Sequence, residues 1–471
     1  MSPGQSLHSW HLAVLVLLPL IAAVVPLTGW GIARVTRWIP VFTSAYVVYV
    51  GIRAMVYEQT FIAILLPNTP RVLLLWDWGT VIIVAAALTA TVLAFALSDW
   101  RGGGDSLVLF NLALTSAAAV VGNPVSLWPI LAISGLSAAL VIFASPPPVA
   151  SLTVAAGILA LAAAAAAALG LAAAILASSH DSLALFDLTQ FPSTRLASVA
   201  RVNLALFGGL AALCGALPFA AKLTAEWRSA GARVASGALA AGPAAVAFAV
   251  WLRIAAHGRQ PLAADLAPQW VRNLLLALAA GGALYHACAM LAARDDDGMR
   301  AASLGLQAAY ATLSLTLAVG GTARGFWAFG AWLATSTLGL GGLSLADRVR
   351  QGPARVALGA ASWACILGTP PFVGFVARFL LLHALSEALG GWWSLLLLPW
   401  IAEVAAVLSH HSLALSTIPA GREEDALSVG WPHRLSATGW STAVVCMQAA
   451  AGPLALAACD ALARQMVTGG I

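Results

Sequence analysis

Residues 367–379 read LGTPPFVGFVARF and place two adjacent prolines, Pro370 and Pro371, inside an apolar stretch that is long enough to cross a membrane. Proline removes a backbone donor and leaves a carbonyl without its helical partner, so a helix through this stretch has to break. Broken helices at membrane depth occur where they are buried in protein or line a cavity. The stretch therefore predicts a membrane-spanning segment in two halves, over residues 356–388.

The rest of the chain has the composition of a membrane protein. Of its 471 residues, 61% are hydrophobic and only 9% are charged, whereas a soluble domain carries about 25% charged residues. Apolar runs of roughly 20 residues recur from end to end. They predict an all-α membrane protein with about fourteen transmembrane helices. The predicted spans are 11–29, 38–56, 78–98, 106–122, 124–145, 149–177, 200–222, 234–256, 270–293, 300–320, 324–344, 356–388, 391–416 and 436–460.

Several classes of function find no support in the sequence. The five cysteines lie inside apolar runs and form no CxxC pair, so we expect no metal site. Nucleotide-binding and phosphate-binding fingerprints are absent, and we expect neither a cofactor nor a catalytic residue in this chain alone. The net charge of +5 comes from scattered arginines and not from a basic stripe, so nucleic acid is not an expected partner.

A second proline break matches the first in position. Pro218 interrupts the seventh predicted span, within residues 215–219, five spans before the break at Pro370 and Pro371. This spacing predicts two inverted five-helix repeats with broken helices 7 and 12. Two unrelated proline kinks are the alternative. The predicted divisions are 1–105 for helices 1–3, 106–256 for the first repeat, 257–416 for the second repeat and 417–471 for helix 14.

Three stretches carry a resemblance to a known family. They are residues 215–219 with the run from Leu239 to Arg253, residues 297–300 (DGMR), and residues 368–379 (GTPPFVGFVARF). Together they resemble the proton-conducting antiporter-like subunits of respiratory complex I, membrane-bound hydrogenases and multi-subunit sodium/proton antiporters. The resemblance covers roughly residues 78–416. It implies a place in a multi-subunit energy-converting complex, for instance an NADH:quinone oxidoreductase, with other membrane subunits and the lipid bilayer as partners.

The departures from the family concern its proton chemistry. The fifth span, residues 126–144, has no acidic residue, and Leu213 and Ala244 stand where the family carries lysines. Met299 and Arg378 replace two further lysines. An ionisable side chain inside the bilayer marks a proton path, and arginine, unlike lysine, does not release its proton usefully. We therefore expect the proton path to be lost in the first half.

Some polar residues remain, with two interpretations. Lys222 with Glu226 is either a displaced channel lysine or, as we favour, an interfacial i,i+4 pair. A second set could form a residual polar seam in which Glu403 neutralises Arg378, or an intrahelical packing network without transport; we favour the second. The set comprises His286, Arg300, Gln307, Arg378, His383, Glu403, His410 and His411.

The basic residues set the expected orientation. With both termini on the outer, periplasmic face, about thirteen loop arginines and lysines fall on the cytoplasmic side against about nine on the other. The composition indicates a bacterial cytoplasmic membrane. We expect a subunit that extends or seals a membrane arm and docks its partners. An active proton or cation carrier is the first alternative. An enzyme acting on lipids is the last, because the loops lack His and Asp clusters.

Overall fold

The computed structural model describes most of the second half of the chain and parts of the first. The described residues are 6–24, 42, 46, 49, 61–64, 73–76, 104–120, 269–319, 322–348, 353–391, 394, 397–416, 442, 444–446 and 448–453, with single helical positions scattered through 129–140 and 156–174. The predicted seventh and eighth spans, with Pro218, Lys222 and Glu226, lie outside them.

The described N-terminal part pairs two helices with a short ribbon. Helix α1 (Ser6–Val24) packs against α2 (Gly104–Val120). Strands β1 (Phe61–Ile64) and β2 (Leu73–Trp76) pair antiparallel, with Phe61 opposite Trp76. The ribbon lies in the connection between predicted spans 2 and 3 and pairs backbone hydrogen-bonding groups across its two strands. The fold remains helical in class, as expected.

In the described part of the second half, seven helices form one packed block. They are α3 (Gln269–Leu291), α4 (Asp296–Val319), α5 (Ala323–Thr335), α6 (Gly341–Arg348), α7 (Pro353–Leu367), α8 (Val373–Leu389) and α9 (Leu397–Ser416). Among the described helices, the stretch Arg272–Leu291 is long and apolar enough by itself to cross a membrane. A proline break divides α7 from α8, and a π-helical turn, Ser336–Leu340, joins α5 to α6.

Helix α4 lies at the centre of this block. It contacts α3, α5, α8 and α9, and nearly every side chain from Ala302 to Leu317 is buried. Three of its hydroxyl groups bond back to their own helix: Thr312, Ser314 and Thr316 each donate to the carbonyl four residues earlier, at 2.8–2.9 Å. A helix with polar residues can thus occupy an apolar interior without leaving these donors unsatisfied.

The C-terminal helical residues attach to the block through one buried amide. Gln448 Nε2 donates to the Leu338 carbonyl in the π-helical turn at 2.9 Å and to Ser362 Oγ on α7 at 3.1 Å. One turn further on, Gly452 lies against the Pro371 carbonyl, so close that a Cβ at this position would overlap it. The C-terminal segment therefore contacts both the π-helical turn and the proline break.

Candidate functional site

The proline break ends α7 with a compact turn. Helix α7 stops at Leu367, Gly368 takes a positive φ of 73°, and α8 starts at Val373. The peptide bond between Pro370 and Pro371 is cis. The Ala364 carbonyl accepts the Thr369 backbone N–H at 3.0 Å, and the Cys365 carbonyl accepts that of Gly368 at 3.3 Å. Two of the four carbonyls that a helix end leaves without partners are thus satisfied within the turn.

Side chains from other helices satisfy the remaining two carbonyls. Arg378 Nη2, on α8, donates to the Ile366 carbonyl at 2.8 Å. Trp400 Nε1, on α9, donates to the Leu367 carbonyl at 3.1 Å. A cation at this point also faces the negative end of the α7 dipole, which is a favourable arrangement. Arg378 therefore has a structural function as a cap for the broken helix.

The Arg378 charge is matched by a carboxylate at the same depth. Arg378 Nη2 lies 2.5 Å from Glu403 Oε2 on α9, and Gln307 Nε2 on α4 donates to Glu403 Oε1 at 3.0 Å. Glu403 has no solvent-exposed surface, and Arg378 is 3% exposed. Two opposite charges so deeply buried are compatible with folding only as a hydrogen-bonded pair, because either one alone would carry a large desolvation cost.

Three aromatic rings enclose the guanidinium. The Arg378 Cζ lies 4.9 Å from the ring centroid of Trp400, 5.4 Å from that of Tyr310 and 5.5 Å from that of Trp332. Tyr310 and Trp332 stack on each other at 4.8 Å. These distances are within the cation–π range, and Arg is the cation most suited to stacking on aromatic faces. We call Arg378, Glu403, Gln307, Tyr310, Trp332 and Trp400 the arginine cage.

The turn at Gly368 lies directly under the arginine stem. A Cβ on Gly368 would overlap Arg378 Cδ, and its positive φ already disfavours any L side chain. Both requirements select glycine at this position. The position of the Arg378 side chain thus explains why residue 368 is glycine.

The cage lies well below both surfaces of the helical block. Along α8, Arg378 is followed nine residues later by Glu387, a rise of about 13 Å. Along α9, Glu403 precedes His410 by seven residues, a rise of about 10 Å. Glu387 and His410 mark opposite ends of the block, because they contact residues at opposite ends of the α4–α5 hairpin. The ion pair therefore lies about 10–13 Å inside the helical block from either end.

The predicted seam residues fall into separate groups in the structure. Arg378, Glu403 and Gln307 meet in the cage. His383 lies instead at the α5 end, where its Nδ1 is 2.9 Å from Arg324 Nη1 and where Arg324 pairs with Glu387. His410 lies at the other end and pairs with Asp296 at the start of α4. Both peripheral groups are partly exposed, unlike the cage.

Two further seam residues lie on the α3 and α4 side of the block. The His286 ring on α3 is buried against the α4 backbone at Gly305. Arg300 is half-buried in the first turn of α4, beside Met299, which is 1% exposed. The side chain of His411 is outside the described residues. Within the described part of the chain, no three His, Cys, Asp or Glu side chains gather as a metal site would require.

Sequence reasoning missed five residues that the structure brings to these groups. Tyr310, Trp332 and Trp400 enclose Arg378 from three helices, and no local pattern signals such a long-range arrangement. Glu387 was detectable, because it follows His383 by four residues on one helix face. Arg324 stands at a helix end and was counted only toward orientation.

Comparison with known proteins gives a clear answer for the fold. No family model and no curated protein sequence matches the chain. Solved structures do: a chain of the membrane-bound sulfane sulfur reductase, an archaeal respiratory membrane complex, has a TM-score of 0.77 at 15% identity, over 98% of this chain and 96% of that one. A chain of respiratory complex I from Thermus thermophilus has a TM-score of 0.71 at 20% identity, over 95% and 99%.

A third neighbour comes from an antiporter complex. A chain of the Mrp complex from Dietzia sp. has a TM-score of 0.69 at 15% identity, over 85% of this chain and 78% of that one. The chain thus shares its fold with chains of these membrane complexes, in agreement with the family resemblance of the sequence motifs. Chains of two respiratory complexes and one Mrp complex share this fold.

Proposed function

We propose that this protein is a diverged antiporter-like subunit of a multi-subunit, energy-converting complex in a bacterial cytoplasmic membrane. In this proposal it extends or seals a membrane arm and docks neighbouring subunits, and both of its termini face the periplasm. The fold neighbours support membership in a multi-subunit membrane complex. The inverted repeat and the domain divisions at residues 105, 256 and 416 belong to the same proposal.

The observation that carries the sealing role is the arginine cage. Where the family has a lysine able to release a proton, this chain has Arg378, which is held by a backbone carbonyl, a carboxylate and three rings. Guanidinium groups are not deprotonated in proteins. Arg378 is always charged and is hydrogen-bonded to a carbonyl and to a carboxylate, so it blocks proton passage through the centre of the second half. In the first half, the absence of the family's lysines has the same effect.

The test separates assembly from transport. The complex is purified from its native membrane with its partners and reconstituted in vesicles, for wild type, Glu403→Gln and Arg378→Met. We expect proton transport per assembled complex to be unchanged in both variants, while the yield of assembled complex falls. Normal assembly of Glu403→Gln with lost proton transport would contradict the sealing role.

A specific observation favours a second candidate function, transport through the second half alone. Gln307 connects Glu403 to α4, the helix that also runs past His286. If these groups relayed protons, Gln307→Leu would abolish transport and leave assembly intact. The sealing role predicts the same transport for Gln307→Leu as for wild type.

A further inference from the structure

Four polar atoms of the arginine cage have no hydrogen-bond partner among the described residues. They are Gln307 Oε1, the Tyr310 hydroxyl, Trp332 Nε1 and Arg378 Nε. The four residues are between 0% and 3% exposed. Buried polar groups in folded proteins are almost always satisfied, and ordered water serves those that no protein group reaches.

The four side chains adjoin one another. Tyr310 and Trp332 are stacked, the Arg378 guanidinium lies within 5.5 Å of both rings, and Gln307 shares the Glu403 carboxylate with Arg378. They come from α4, α5 and α8, which contact one another. The unsatisfied atoms thus belong to adjoining side chains of the arginine cage.

The donor and acceptor types identify the ligand. Trp332 and Arg378 offer only N–H donors, Gln307 Oε1 is only an acceptor, and the Tyr310 hydroxyl is both. A water molecule accepts two hydrogen bonds and donates two, which matches this set. A cation is disfavoured, because it would lie against two N–H donors beside a guanidinium. An anion is also disfavoured, because it would lie against Gln307 Oε1 and the Glu403 carboxylate. The Arg378 charge is already compensated there.

We propose that the arginine cage contains a resident water site, in which water accepts from Trp332 Nε1 and Arg378 Nε and donates to Gln307 Oε1 and the Tyr310 hydroxyl. The site completes the hydrogen bonding of the ion pair inside the helical block. It stands independently of the proposed function, because a sealing subunit and a transporting subunit would both need these atoms satisfied.

The test is X-ray radiolytic labelling of the intact complex, in which hydroxyl radicals form from bound water and modify the side chains beside it. We expect Trp332 and Tyr310 to be modified although they are buried. The reference is Trp363 on α7, which is 4% exposed and whose indole nitrogen is not among the unsatisfied atoms. Modification of Trp332 at no more than the rate of Trp363 would overturn the proposal.

A variant provides a second measurement. Trp332→Phe keeps an aromatic ring and removes one donor, so we expect modification of Tyr310 to fall toward the Trp363 rate. Trp327→Phe, on the same helix and also buried, is the matched control and should leave Tyr310 modification unchanged. Equal Tyr310 modification in wild type and Trp332→Phe would show that water at this position does not depend on the cage, and would also contradict the proposal.

Discussion

Arg378 and Glu403 form a buried ion pair with an N–O distance of 2.5 Å, between the second half of a broken helix and the next helix along the chain. The same nitrogen of Arg378 also donates to the carbonyl of Ile366 at the broken end of α7. One guanidinium thus joins three helix segments around the proline break.

Removing one charge of the pair should be worse than removing both. Glu403→Gln or Arg378→Met leaves a buried charge without its partner, at a cost of roughly 3–5 kcal/mol in unfolding free energy. The double variant leaves no stranded charge and should lose less than either single variant. Thermal unfolding of the purified complex measures this, with Glu387→Gln as the control: its exposed pair with Arg324 should contribute about 1 kcal/mol or less. Additive losses in the double variant would contradict the buried-pair interpretation.

Alanine should be tolerated in place of Gly359 and not in place of Gly368. Gly368→Ala places a Cβ on a residue with φ of 73° and against Arg378 Cδ, so we expect a loss of about 1–3 kcal/mol. Gly359→Ala, in α7, meets nothing within 4 Å and should gain up to about 1 kcal/mol from helix propensity. Unfolding midpoints of the two variants give the comparison. Equal effects would show that the turn does not require glycine.

Arg378→Lys should not replace the native residue, although it keeps the charge. Lysine lacks the planar guanidinium that stacks on the three rings while its Nη2 donates to Ile366 O and Glu403. Losing one hydrogen bond to a charged group costs about 1.5–3 kcal/mol. We expect a lower unfolding temperature than wild type and a higher one than Arg378→Met. A lysine variant as stable as wild type would mean that the charge alone is sufficient.

Gln448 should be needed to attach the C-terminal segment. Gln448→Leu removes donors from the Leu338 carbonyl and from Ser362 Oγ, both in the buried interior, and we expect a loss of about 1–3 kcal/mol. The control is Ser362→Ala, which removes only one of the two contacts and should cost less. Limited proteolysis of the C-terminal residues measures the attachment. Unchanged protection in Gln448→Leu would contradict this prediction.

The orientation prediction can be tested at two exposed positions on opposite ends of the helical block. In a variant without native cysteines, Arg294→Cys should react with an impermeant reagent only from the cytoplasmic side. Gly391→Cys, in the connection between α8 and α9, should react only from the periplasmic side. Both residues are exposed, and a Cβ at Gly391 meets nothing within 4 Å. The reverse pattern would place both termini in the cytoplasm.

The sequence by itself determined the membrane class, the helical fold and the break at Pro370 and Pro371. These follow from local properties: the length of apolar runs, the missing proline N–H and the position of glycine and arginine in one short motif. The helices α3, α4 and α9 lie close to the spans predicted for them. The pairing of Arg378 with Glu403 was suggested as one of two interpretations, because both are costly inside a bilayer.

Only the tertiary structure decided what surrounds that pair. Tyr310, Trp332 and Trp400 come from three helices, and their convergence on one guanidinium depends on how the helices pack, which no periodic pattern encodes. Packing also separated His383 and His410 from the cage, because the two residues lie about one or two helical turns away toward opposite ends of the block. The π-helical turn likewise takes part in a contact that is remote in sequence, since Gln448 donates to Leu338 across 110 residues.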